Sequence, residues 1–202
     1  MHRRVLTLLC VTFALCAATF VLPSRALAQE HTDHAAMAAK AKPNAALMTG
    51  YGNWHHPVST KNAQAQAFFD QGLRQIYAFN HDEAARSFQR AGELDPKLAM
   101  AFWGVAEAVG PNYNDPASDD RFVKAHEAIA KAQSLAAEAS ESDKAYIDAL
   151  AKRFPADTSA DRRAALEQYR DAMREVMKRF PDDLDAATLS AEAGMNLHPW
   201  GL

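Results

Sequence analysis

Three short clusters in this 202-residue chain carry side chains able to do chemistry. The first is Glu30-His31-Thr32-Asp33-His34-Ala35-Ala36-Met37. His31, His34 and Met37 recur every third residue, and imidazole with thioether is a donor set that suits copper. The plainer reading is a solvated tail. The second is Trp54-His55-His56-Pro57. Adjacent histidines in an extended segment point to opposite sides, so they are poorly placed to share one ion. Trp54 is read as a cover over the open end of the first helical hairpin, with metal or ligand contact of this cluster as the alternative. The third is Asn112-Tyr113-Asn114-Asp115, a polar, lengthened loop. Such a loop is either part of a binding face or a turn in which Asn and Asp side chains bond to nearby backbone.

Patterns for catalysis are missing. The chain has no G-x-S-x-G elbow, phosphate-binding loop, H-E-x-x-H pair or dinucleotide fingerprint. His126 stands beside Glu127 without a nearby nucleophile, and Asp182-Asp183 reads as charge at a helix start. The expectation is a binding protein, not an enzyme, with copper at the tail as the one cofactor to consider.

Met1 to Ala28 reads as a secretory leader: Arg3 and Arg4, an apolar run from Val5 to Leu22, then Ala26-Leu27-Ala28. Cleavage after Ala28 leaves no membrane anchor and predicts a periplasmic or secreted protein. Cys10 and Cys16 both lie in the leader, so the mature chain has no disulfide or thiolate site to draw on. The whole chain has 22 basic and 25 acidic residues; the leader takes away Arg3, Arg4 and Arg25 and no acid, leaving 19 against 25. That mildly acidic balance argues against a nucleic-acid partner.

Residues 29–58 read as a His- and Ala-rich flexible linker, and residues 59–202 as one helical domain. Apolar side chains at helical spacing, with no alternating run, predict an all-α fold of about seven helices. They are expected at about 60–78, 82–94, 96–109, 118–137, 140–155, 159–180 and 181–196. Ser59 or Thr60 is the expected cap of the first, and Pro96 and Pro181 are expected in first turns.

Gly72, Ala84, Phe88, Ala91 and Pro96 stand at intervals of 12, 4, 3 and 5. The span from Ala65 to Leu98 resembles the tetratricopeptide repeat, a 34-residue helix-turn-helix unit. Phe102, Ala125, Ile129 and Ala132 reproduce part of the pattern in a second unit with an inserted loop. Tyr169, Met173, Val176 and Pro181 mark a looser third. Gln71 and Gln75 stand where the family often has Leu and Tyr. The last helix has no partner, and reads either as a weak cap or as the start of a unit continued in a longer relative.

The resemblance implies antiparallel hairpins stacked into a short right-handed solenoid whose first helices line a concave groove. The implied lining is Gln66, Phe69, Leu73 and Ile76, then Met100, Trp103 and Glu107. Phe69 and Trp103 are either exposed aromatics for recognition or are covered by the fifth helix or the linker. The implied function is capture of a peptide or protein partner, with Asn112, Tyr113 and Asn114 contributing. The alternative is copper handling through His31, His34 and Met37. Lys and Asn, with which some relatives clamp a terminal carboxylate, are absent: Phe69, Leu73 and Gly104 hold those positions.

Overall fold

The computed structural model describes residues 45–114, 118–157 and 160–198. They belong to one compact unit that begins at Pro43. The tail residues His31, His34 and Met37 and the leader lie outside the described residues, as does Asp115.

Among the described residues seven α-helices follow one another: α1 (Ala63–Tyr77), α2 (His81–Leu94), α3 (Ala99–Val109), α4 (Asp119–Leu135), α5 (Glu141–Arg153), α6 (Arg162–Arg179) and α7 (Leu184–Met195). A 3-10 turn, Ala136–Glu138, prolongs α4. Each helix packs on the next; α1 also touches α3, and α3 touches α5. The architecture is therefore an all-α stack of helical hairpins, with α1, α3 and α5 forming an inner row and α2, α4 and α6 backing it.

Small residues set the closeness of the stack. A Cβ on Gly72 would stand 2.7 Å from the Phe88 ring, and one on Gly104 2.3 Å from it. Phe88 of α2 thus wedges between α1 and α3, fully buried. Close packing of this kind leaves no room for even one methyl group. Ala65, Ala84, Ala91, Ala106, Ala125 and Ala132 are all wholly buried.

Local side chains fix the helix starts. Asn62, not Ser59 or Thr60, caps α1 by accepting from the amides of Gln64 and Ala65. Asp161 and Asp183 cap α6 and α7 in the same way. Pro96 stands ahead of its helix: the Asp95 side chain accepts the Lys97 amide at 3.1 Å and its carbonyl accepts the Leu98 amide at 3.0 Å, so α3 begins only at Ala99. Pro181 likewise precedes α7, which starts after Asp183.

From residue 45 onward, the segment expected to be a flexible linker is fastened to the helices. Gln71 and Gln75 hold it. Gln71 donates to the Ala46 carbonyl at 3.0 Å and accepts the Met48 amide at 2.7 Å, while Ser87 links the two glutamines. Gln66 then grips the extended segment from both sides of Pro57, donating to the His56 carbonyl at 2.8 Å and accepting the Val58 amide at 3.1 Å. Paired backbone bonds from one side chain imitate a neighbouring strand and keep the segment straight. The departures from the repeat pattern at Gln71 and Gln75 are anchors for this strap.

Candidate functional site

The strap crosses the inner row and changes what the groove is. Phe69, Leu73, Ile76, Met100, Trp103 and Glu107 are all buried. Phe69 packs against Phe88 with ring centres 5.3 Å apart, Trp103 stands edge-on to Tyr146 of α5 at 5.6 Å, and His56 of the strap stands edge-on to Tyr146 at 5.5 Å. Of the two readings of Phe69 and Trp103 the covered one holds, with strap and fifth helix over them, and the implied exposure of Leu73 and Met100 in an open groove is corrected: all four side chains are core. Gln66 is half-buried and spends its amide on the strap.

Where the strap ends its crossing it meets α7, at a latch. The Trp54 indole N–H donates to both Asp185 carboxylate oxygens at 3.0 Å. The Tyr77 hydroxyl, from the last residue of α1, donates to Asp185 at 2.6 Å. His56 Nδ1 lies 2.7 Å from the other Asp185 oxygen. Beside it, Asp183 accepts the Tyr146 hydroxyl at 2.8 Å and the first amides of α7. Trp54 is thus a tie between the two ends of the stack, and its role reaches beyond covering the first hairpin.

Charge in the latch is mutually reinforced. Burial lowers the His56 pKa, but the Asp185 hydrogen bond and the charges of Asp185, Asp183 and Asp143 outweigh it and raise the imidazole above 6.5. Burial raises Asp185, but hydrogen bonds from His56, Tyr77 and Trp54 hold it below the usual carboxylate value. His56, Asp183 and Asp185 place one potential metal-ligand atom each within 4.8 Å of one another. Both Asp185 oxygens already accept hydrogen bonds, and Asp183 has one oxygen on helix amides and the other on Tyr146, so the cluster is accounted for as a hydrogen-bonded latch.

Next to the latch opens a cavity of about 980 Å³. Trp54, Ile76, Tyr77 and Phe79 form one wall, Asn112, Tyr113 and Asn114 a second, and Leu184, Leu189, Glu192 and Met195 of α7 a third, with Glu107 among the lining residues. Four large apolar side chains that are conspicuously exposed line this one cavity: Phe79 at 70 %, Leu184 at 60 %, Trp54 at 40 % and Met195 at 36 %. Apolar exposure gathered at one concavity marks a binding surface.

Phe79 is placed there at a cost. Its φ is +57°, the left-handed region that glycine favours. Phe79 N–H donates to the Ile76 carbonyl at 2.9 Å and Asn80 N–H to the Gln75 carbonyl at 2.8 Å, the paired bonds of a Schellman helix end. Glycine is the usual residue at this position. A phenylalanine here is strained in its backbone and mostly exposed in its side chain, so neither packing nor turn geometry accounts for it.

Beside the cavity, Glu107 is 6 % exposed and meets Arg153, whose Nη1 stands 3.4 Å from Glu107 Oε1. Arg153 Nη2 donates to the Pro111 carbonyl at 2.5 Å and lies 3.9 Å from Glu192. Glu192 also accepts from the Asn196 amide. One oxygen of Glu107 and one of Glu192 are buried without a hydrogen-bond partner. Burial pushes the Glu107 carboxyl up to about 7, opposed by Arg153 and assisted by Glu192.

Of the residues expected to bind a partner, the structure thus brings Ile76, Glu107, Asn112, Tyr113 and Asn114 to one cavity. Sequence reasoning misses Tyr77, Phe79, Leu184, Glu192 and Met195, and offers ligand contact at Trp54 only as the alternative to a cap. The last helix had offered a sign, since Leu184, Leu189 and Met195 stood there without a partner helix to cover them. His126 is structural, its Nδ1 lying 2.8 Å from the Phe154 carbonyl. No helix among the described residues is long and apolar enough to cross a membrane.

Compared with family models, curated proteins and solved structures, the chain matches none.

Proposed function

We propose that this protein is an exported binding module, built of tetratricopeptide-like hairpins, that seats part of a peptide or protein partner in the cavity between α1, the Asn112–Asn114 loop and α7. The convergence of Phe79, Leu184, Trp54 and Met195 on one concavity carries this reading. An apolar hollow with a few polar groups at its edge is the general form of a ligand site. The latch serves it by holding α7 against the strap and Tyr77, which fixes the distance between two of the cavity's walls. The strained Phe79 serves it by placing an aromatic ring at the mouth.

The test is direct. A neutral dye that fluoresces in apolar surroundings, N-phenyl-1-naphthylamine, binds the mature protein saturably. Thr188→Trp, on the exposed lining of α7, fills the cavity and abolishes the signal while the helical circular dichroism stays unchanged. Binding that is absent in the native protein, or equal in the filled variant, overturns the reading. Peptides that displace the dye then define the partner.

A further inference from the structure

The lining of this cavity is one-sided in charge. Glu107, Asp185 and Glu192 contribute carboxylates, no Lys or Arg among the described residues lines it, and the one basic group on its wall is the His81 imidazole. Arg153 lies behind Glu107 and within 3.9 Å of Glu192, a single guanidinium shared between two carboxylates. Each glutamate keeps one buried oxygen with no donor. A buried acceptor left without a partner is costly, and more so when it is charged. Asp185, by contrast, is fully engaged by Trp54, Tyr77 and His56. Arg153 Nε is itself without an acceptor, so what the cluster lacks is not N–H donors but charge balance: two carboxylates face one guanidinium.

The walls agree with that demand. Trp54, Tyr77, Phe79 and Tyr113 present aromatic rings, and Leu184, Leu189 and Met195 present apolar surface. Aromatic faces attract ammonium groups, most strongly where water is excluded, and aliphatic stems of such ligands lie well on leucine and methionine. An anion would meet three carboxylates and be repelled.

We propose that the cavity takes an organic cation with an apolar stem, a lysine side chain or a free alkylamine, its ammonium drawn to the carboxylates of Glu107 and Glu192 and its stem lying on the α7 and aromatic walls. This rests on the binding reading above and goes beyond it by naming the charge and shape of what enters. Ammonium binding also favours the ionised form of Glu107, so affinity rises as pH is raised from about 6 to about 8. The charged or titratable groups facing Glu107 are Arg153 from α5, Glu192 from α7, Tyr169 from α6 and Tyr77 from α1, and across the cavity it shares its lining with Asp185 of α7 and His81 of α2. The tyrosines are held neutral across that range, their hydroxyls raised above the ordinary value mainly by burial.

The experiment uses the mature protein and three matched probes, n-hexylammonium, n-hexanol and hexanoate, followed by titration calorimetry. The ammonium is expected to bind at least about tenfold more tightly than the alcohol, the advantage of one charge-assisted hydrogen bond, with hexanoate weakest. Glu107→Gln and Glu192→Gln, each checked for unchanged helicity, bring ammonium and alcohol to within about twofold of one another. Equal binding of ammonium and alcohol by the native protein overturns the cation assignment and leaves the cavity reading standing; saturable binding of none of the three overturns both. A lysine-containing peptide that binds, and fails to bind once its ammonium is acetylated, identifies a peptide side chain as the source. Binding of hexylammonium without such a peptide effect identifies a free amine.

Discussion

Two buried acidic clusters lie side by side against α7, and they are finished to different degrees. In the latch, both Asp185 oxygens accept hydrogen bonds, from Trp54, Tyr77 and His56, and Asp183 is similarly occupied. Beside the cavity, Glu107 and Glu192 share Arg153 and each leaves one oxygen without a donor. The first arrangement is what a protein builds to hold itself together. The second is left incomplete, with acceptors on Glu107 and Glu192 and a donor on Arg153 unpaired, as a site that rearranges around the proposed ligand would be. Buried charge alone therefore does not mark a site; buried charge with acceptors still open does.

The largest effect expected from breaking this comparison is at Asp185. Asp185→Ala removes the shared acceptor of three donors from a position that is 3 % exposed. Removing one partner of a buried charged pair costs about 3–5 kcal/mol, because the group left behind stays desolvated. Urea unfolding of the variant should show a loss of that size, and Trp54 fluorescence should shift to the red as the indole loses its anchor. A loss under about 1 kcal/mol would mean the latch is a surface ornament.

Glu107→Gln should do the opposite at the same depth. It removes a charge that burial disfavours and retains a group able to accept from Arg153. Stability at neutral pH is expected to be unchanged or higher, within about 1–2 kcal/mol of the native protein. A strongly destabilised Glu107→Gln would make the cavity-side cluster a second latch and remove the contrast.

The pH profile distinguishes the clusters again. His56 is raised, so its contribution is full below 6.5 and is lost as pH rises through its folded value. Asp185 is lowered, so its contribution is present above its ordinary 3.8 and is lost as pH falls through its folded value. The latch is therefore strongest between those limits. Glu107 runs the other way: its folded value of about 7 lies above its ordinary 4.5, so its ionisation costs stability progressively as pH rises across that interval. Native stability should decline from about pH 5 to about pH 8. Glu107→Gln removes the part of the decline centred below 7, and what remains tracks the titration of His56. A flat profile in the native protein would contradict both assignments.

The helices were legible in the sequence, and the cavity was not. Helical periodicity is local, so Phe68, Phe88 and Ile129 declared their elements and the Gly72–Phe88 spacing declared a hairpin. Caps were less legible, because Asn62 and Asp161 compete with nearby Ser and Thr for the same task, and Asp183 with the adjacent Asp182. The cavity depends on Tyr77 meeting Asp185 across 108 positions of chain, which no local pattern reports. Its traces were the features that local rules left over: two glutamines at apolar positions, apolar residues on an unpartnered last helix, and a phenylalanine where a helix end wants glycine. Each broke a rule of packing or turn chemistry, and residues that break such rules gather at functional sites.

Phe79 gives that argument its finest test, with the smallest expected change in stability. In the left-handed region a side chain costs about 1–2 kcal/mol relative to its ordinary conformation. Phe79→Gly relieves that strain, and the greater freedom of glycine in the unfolded chain offsets about half of it. Little packing is lost from a ring that is 70 % exposed. The variant should therefore be as stable as the native protein or up to about 1 kcal/mol more stable. If the ring is there for the cavity, dye and hexylammonium affinity should fall in the same variant. Phe79→Ala separates the two causes, since it keeps the strain and loses the ring: binding should fall as in Phe79→Gly, without any gain in stability. If binding survives in both, the strain at residue 79 serves something other than this cavity.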